Sequence, residues 1–218
     1  MGLSRSNLLT FLFNLIAPLY RYLTSNKAWE ENARYLIKIA CSPSARSFLD
    51  LGTGPGYIAH ALSQMNGVRV VGLDCAYSML KMASSQHNHG VSYILGDSCY
   101  SPFRDNTFDV ITARSFLWLV KSPRKTLTEV RRVLREEGRL ILVEPLSDAR
   151  LPTILRKTKS FKVCIAHFGW FMMSRLLGCY REETLKSMLT ESGFSICHCE
   201  KEFSELALIL VGEKSTHF

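Results

Sequence analysis

From residue 46 onward, short apolar runs alternate with segments whose apolar positions recur at helical spacing. Ser47 to Leu51 reads as a strand and Tyr57 to Gln64 as a helix. Arg69 to Asp74 and Ala76 to Gln86 repeat that unit, and Val91 to Leu95 and Phe108 to Ala113 read as a third and a fourth strand. The next helix is marked at both ends. Ser122 can cap it, Pro123 suits its first turn, Gly138 suits its exit, and Leu127, Val130, Val133 and Leu134 form its apolar stripe. Arg139 to Val143 reads as a fifth strand. A last helix spans about Arg181 to Ser192, with Leu185, Met188 and Leu189 inward and Gly193 at its end. Phe194 to Cys199 and Leu206 to Gly212 then read as two closing strands. Strands alternating with helices predict an α/β fold built from βαβ units, with helices on both faces of a largely parallel sheet.

Two stretches break the alternation. Residues 146 to 180 lie beyond the carboxyl end of the fifth strand and hold Phe161, Phe168, Trp170, Phe171, Met172, Met173 and Tyr180. Open α/β sheets bind ligands there, and methionine adapts to irregular shapes, so this insert can line a substrate pocket; it can equally pack as a small helical subdomain. Leu8 to Leu23 is rich in Leu, Phe, Ile and Tyr, but Pro18 and Arg21 cut the run short of a membrane span, and no clear cleavage site follows it. The expectation is an amphipathic helix over the cleft, with weak membrane-surface contact as the second reading. Met1-Gly2 through Ser6 also fits the loose myristoylation pattern.

The 218 residues suffice for one α/β domain and not for two. An excess of 27 Lys and Arg over 19 Asp and Glu gives +8, which permits attraction to nucleic acid or to an anionic membrane. The charge reads as scattered. Its densest cluster, Arg131, Arg132, Arg135 and Arg139, falls at a helix end, where cations complement the helix dipole without any partner. Seven cysteines without a CxxC pair predict a reduced, cytoplasmic protein with no metal site. Cys75, Cys99, Cys164 and Cys179 then read as small apolar residues rather than as reactive thiols.

The strongest chemical signal is Asp50-Leu51-Gly52-Thr53-Gly54-Pro55-Gly56, placed between a strand and a helix. Glycines at alternate positions let the backbone turn sharply and approach a ligand closely, and the helix start presents unpaired N–H groups. A dinucleotide fingerprint needs glycine at 57, where Tyr57 stands, and the Gly-Lys-Ser/Thr of a phosphate loop is missing. Asp74 ends the second strand, where its carboxylate can accept hydrogen bonds from both hydroxyls of a ribose or, alternatively, cap the next helix. Gly96-Asp97-Ser98 follows the third strand. Asp97 can accept from an exocyclic adenine amine, with Phe103 packing nearby, or it can serve only the turn.

The succession DLGTGPG, VVGLD, GDSCYSPF, FDVITARSFLWLV and EVRRVLREEGRLILVEP resembles the class I S-adenosylmethionine-dependent methyltransferases, and among them the ubiquinone and menaquinone type. The resemblance covers residues 30–145. Phe13 to Tyr20 also resembles the N-terminal helix of that branch, and residues 180–214 its last helix and hairpin. It implies a Rossmann-like fold with a seven-stranded, mostly parallel sheet and an antiparallel last strand. The implied organisation is one domain over 1–218: an N-terminal helical cap (1–40), a cofactor-binding core (45–145), the apolar insert (146–180) and the last helix with closing strands (181–214). The cofactor would be S-adenosyl-L-methionine, leaving as S-adenosyl-L-homocysteine. Asp50, Gly52, Thr53, Gly54 and Gly56 would border its methionine part. Asp74 would hold the ribose, Cys75 would flank the adenine, and Asp97 and Ser98 would contact the adenine edge. Arg114 would face the methionine carboxylate or the substrate. Cys75 and Ala76 depart from the polar residues frequent after the acid.

Methyl transfer from a sulfonium is an in-line displacement in which the protein chiefly positions the acceptor. A base is needed only if the acceptor loses a proton; Glu144, His167 and Tyr20 are candidates by position alone. The [N/D]PP[Y/F] signature of amino-group methylation is replaced by Thr112-Ala113-Arg114-Ser115-Phe116, and the Pro-Cys of cytosine methylation is missing. These gaps and the apolar insert favour O- or C-methylation of a small, hydrophobic acceptor. The alternatives are an RNA methyltransferase and a non-catalytic cofactor- or partner-binding protein.

Overall fold

The computed structural model describes residues 10–18, 27–40, 44–87, 89–149, 161–202 and 206–215. The pattern at Met1–Ser6 and the candidate Tyr20 lie outside them. Helix α1 covers residues 10–18 and α2 Lys27–Ala40. Then follow β1 (Ser47–Leu51), α3 (Tyr57–Ser63), β2 (Arg69–Asp74), α4 (Tyr77–Gln86), β3 (Val91–Leu95) and β4 (Phe108–Arg114). The second half holds α5 (Pro123–Val133), β5 (Leu134–Pro145), α6 (Phe161–Leu177), α7 (Glu182–Glu191), β6 (Phe194–Glu202) and β7 (Ala207–Lys214).

Among the described residues one sheet forms, in the order β3-β2-β1-β4-β5-β7-β6. Strands β1 to β5 run parallel, and β7 runs antiparallel to both neighbours, β5 and β6. This is the Rossmann-like arrangement. The order reverses between β1 and β4, so the crevice outside their carboxyl ends is where such a sheet takes a ligand.

Alternate strand residues feed two apolar layers. Leu49, Leu51 and Ile111 pack with Leu127, Val130 and Val133 of α5 and with Leu185, Met188 and Leu189 of α7. Phe48 and Val110 face the opposite layer, with Leu36 of α2 and Ile58, Ala59 and Leu62 of α3. Each fully buried Leu or Val contributes about 1.5–3 kcal/mol of transfer free energy, so the α5 stripe is enough to seat that helix.

The structure corrects two element boundaries. Helix α5 ends at Val133, because Leu134 is already extended (φ −78°, ψ 134°) and pairs with Phe108; Gly138 therefore lies inside β5. Glu137 takes φ 61°, and the register slips between Phe108 and Val110. At the other end Ser122 makes no side-chain cap; its carbonyl instead accepts the Thr126 N–H at 3.0 Å.

Candidate functional site

The glycine loop is tied down from beneath. Asp50 is buried at the end of β1 and accepts hydroxyl hydrogen bonds from Thr53 and Thr112, both at 2.7 Å. Burial pushes its carboxyl up to about 6, with those two bonds pulling the other way. Gly52 and Thr53 donate their N–H groups to the Leu73 carbonyl. The chain is left turning through φ 69° at Gly52 and 52° at Gly54, a backbone region costly for residues with a Cβ. A Cβ at Gly52 would lie 2.3 Å from the Phe116 ring, whereas one at Gly54 would meet nothing within 4 Å. Gly54 thus opens onto the cavity.

Asp74 joins this loop to the next helix. Its Oδ2 accepts the Gly54 N–H and its Oδ1 the Ala76 N–H, each at 2.8 Å. The two alternatives for Asp74 are therefore compatible: it serves the start of α4 and still faces the cavity with unused lone pairs. Burial raises its pKa, against the pull of those backbone N–H groups.

Together the strand ends enclose a cavity of about 520 Å³. Gly52, Gly54, Asp74, Cys75, Asp97, Ser98 and Arg114 all border it. Asp97 is exposed and closes an Asx turn onto the Cys99 N–H at 2.8 Å, while Ser98 is buried with its Oγ 3.4 Å from the Thr126 hydroxyl. Asp50, Thr53 and Gly56 do not border the cavity. The first two brace the loop, and Gly56 starts α3 at φ 83°, where a Cβ would meet the Tyr93 hydroxyl at 2.5 Å. Phe103 does not reach it either; it packs edge-on against Phe108, 4.9 Å between ring centres.

The other end of the cavity is apolar. Phe116, Trp118 and Leu119 follow β4, and Trp170 and Met173 arrive from α6. Glu144 holds the first of these in place. Its Oε1 accepts the N–H groups of Phe116 (2.9 Å) and Leu117 (2.8 Å), and Oε2 approaches that of Trp118 at 3.4 Å. Burial pushes its carboxyl up to about 7, opposed by those three N–H groups. Glu144 does not border the cavity, so the structure makes it a support of the wall rather than a group in reach of an acceptor. Ser115 carries φ 50°, strained for a residue with a side chain, and its Oγ accepts the Trp170 indole N–H at 3.0 Å. His167 lies on α6, and its side chain is outside what the structure describes.

Helix α1 roofs the polar end. Thr10 and Phe13 border the cavity, and the Thr10 hydroxyl sits 3.4 Å from the Cys75 sulfur. Asn14 Oδ1 accepts the Ser78 N–H at 2.8 Å, serving the first turn of α4, and Ala17 packs on Ala76 and Met79. Sequence reasoning missed this brace and also missed Phe116, Trp118, Lys121 and Lys125 on the cavity rim. The aromatic pair in Ser115-Phe116-Leu117-Trp118 just past a strand end was the available signal.

S-adenosylmethionine fits this donor set. It needs acceptors for ribose hydroxyls and an adenine amine, a bare backbone against its chain and an apolar space beside its sulfonium. Asp74 and Asp97, the unfilled space over Gly54, and the Phe116–Trp170 wall supply these. A family model described as a methyltransferase domain matches residues 49–142. The demethylmenaquinone methyltransferase of Thermotoga maritima is 27% identical over 218 residues, covering 93% of this chain and 94% of that protein. The enzyme of the same name from Thermus thermophilus is 28% identical, covering 93% and 100%. Among solved structures, a SAM-dependent methyltransferase from Aquifex aeolicus superposes with a TM-score of 0.72 at 18% identity, over 91% of this chain and 98% of that one.

Sheet order, glycine loop and family match define a class I S-adenosylmethionine-dependent methyltransferase. Within that class its sequence is similar to enzymes of the ubiquinone/menaquinone type, at 27–29% identity. Its cofactor is S-adenosylmethionine.

Proposed function

We propose that this enzyme methylates a ring carbon of a small quinone-type acceptor in its reduced, hydroxylated form. The observation that carries the reading is a cavity with two unlike ends: carboxylates at Asp74 and Asp97, and an aromatic wall of Phe116, Trp118 and Trp170. The menaquinone-type relatives support it by their names.

Asp74 would accept from the ribose hydroxyls through its unused lone pairs, and Asp97 from the adenine amine, with Ser98 at the adenine edge and Cys75 at its flank. Gly52 and Gly54 would lie against the methionine part, and Arg114 would face its carboxylate. The bound cofactor supplies a methyl group already activated for in-line displacement. The chain would then present an aromatic carbon along that line: the carbon–carbon bond would form as the methyl–sulfonium bond breaks, with S-adenosylhomocysteine leaving and the acceptor giving up one proton to solvent. The flat side chains of the wall suit an aromatic ring. In this reading α1 and α2 belong to the cap and α6 to the insert beside the core, with α7, β6 and β7 closing the sheet. A peripheral membrane contact through α1 belongs to the same reading, because such acceptors are lipid-soluble.

The densest basic cluster lends the RNA alternative nothing, because its arginines are already engaged within the protein. Arg132 is paired with Glu129 and Asp105, Arg135 with Asp109, and Arg139 with Glu213, while Arg131 donates to the Ser215 carbonyl. The test is transfer of labelled methyl from S-adenosylmethionine to a demethylated quinol. Label in the ring product is expected; a protein that binds the cofactor and labels no quinol would refute the acceptor.

A further inference from the structure

The cavity is flanked by two helices whose outer faces are apolar and bare. On α1, Thr10 and Phe13 line the cavity while Phe11, Leu12 and Leu15 are exposed, at 64%, 36% and 68%. On α6, Trp170 and Met173 line it while Ile165, Phe168, Met172 and Leu176 are exposed, Leu176 at 79%. At 3.6 residues per turn those four fall within an arc of roughly 80°, and Phe11, Leu12 and Leu15 within roughly 100°. Seven of the ten large apolar side chains exposed among the described residues thus lie on the two helices beside the cavity.

Charge follows the same division. Residues 1–40 and 146–180 together carry eleven Lys and Arg against three Asp and Glu, and the rest of the chain carries sixteen of each. The whole excess of +8 therefore belongs to the two segments that contain these helices, contrary to its scattered look along the sequence. Arg156, Lys157, Lys159 and Lys162 come immediately before or within the first turn of α6. Helix α6 is apolar on nearly every side, yet no helix among the described residues is long and apolar enough to cross a membrane.

We propose that the outer faces of α1 and α6 form one docking surface for an anionic lipid bilayer, which sets the cavity beside the membrane surface. Apolar helix faces on segments with an excess of cations are the chemistry of helices that lie in the interface: side chains enter the acyl boundary and Lys and Arg meet lipid phosphates. A soluble acidic protein would match the charge but not two bare apolar arcs. That the surface delivers a lipid-soluble acceptor rests on the quinone reading; the docking itself does not.

The experiment is co-sedimentation of the full chain with phosphatidylcholine vesicles, with and without phosphatidylglycerol. Binding to the anionic vesicles alone, released by salt, is expected. F11Q/L15Q and F168Q/L176Q should each weaken it by about tenfold or more, with affinity for S-adenosylhomocysteine unchanged. No sedimentation with anionic vesicles, or binding that both double variants retain, overturns the proposal. So does a chain that ignores vesicles but forms a dimer dispersed by the same substitutions, which would assign the faces to a second copy. If S-adenosylhomocysteine does not bind while the vesicles do, the cofactor site fails and the docking surface stands.

Discussion

Gly52 and Gly54 share a left-handed backbone but differ in what a methyl group would meet. Gly54→Ala should cost about 1–2 kcal/mol in backbone strain and, with the cofactor placed as proposed, fill part of its space. Gly52→Ala should cost a further 1–3 kcal/mol or so, because the Phe116 ring must move. Thermal melts should rank Gly52→Ala as the less stable, and calorimetry should find S-adenosylhomocysteine affinity reduced by more than about tenfold in Gly54→Ala. The pattern of the loop was legible because glycine spacing reports backbone demand directly. The division of labour within it was not. Whether Asp50 reaches a ligand or braces the loop depends on Thr53 and on Thr112, which β4 brings alongside β1.

At the scale of elements, the segment after β4 is shaped by its neighbours. Glu144 gathers the N–H groups of Phe116 and Leu117, and α6 reaches across to Ser115. Trp170→Phe keeps an aromatic ring, though a smaller one, and removes one hydrogen bond worth about 1 kcal/mol, so acceptor KM should rise by roughly fivefold or more with cofactor affinity unchanged. Glu144 also makes stability depend on pH. Its folded-state carboxyl, at about 7, holds a proton that the unfolded chain releases near 4.5, so stability falls as pH rises between those values and levels off above. Asp50 acts in the same direction between its ordinary 3.8 and about 6. Glu144→Gln keeps an oxygen for the same N–H groups and cannot ionise. Its urea midpoint should drop less than that of wild type between about pH 5 and pH 8, the difference being on the order of a few kcal/mol or less. Strands with unbroken apolar runs were read to within a residue or two. The start of β5 was missed because Leu134 continues the helical stripe in sequence, and only pairing with Phe108 decides that it is a strand residue.

At the scale of the molecule, parallel strands from β1 to β4 bring the glycine loop, Asp74, Asp97 and Arg114 to one end of the sheet, although up to 62 positions separate them in the chain. That convergence follows from the βαβ order and could be read in advance. Which faces of α1 and α6 stay bare could not, since both helices are apolar through most of their length and only packing selects the buried side. Function at this scale depends on the cavity serving as a cofactor site with Asp74 at its polar end, as proposed. Calorimetric titration with S-adenosylhomocysteine, with NAD as the control ligand, tests it most directly in wild type and in Asp74→Ala. Saturable binding of S-adenosylhomocysteine alone, weakened at least about tenfold by the substitution in a protein that still folds, is the predicted result. Equal affinity in the two proteins would contradict the role of Asp74, and no binding to wild type would contradict the site.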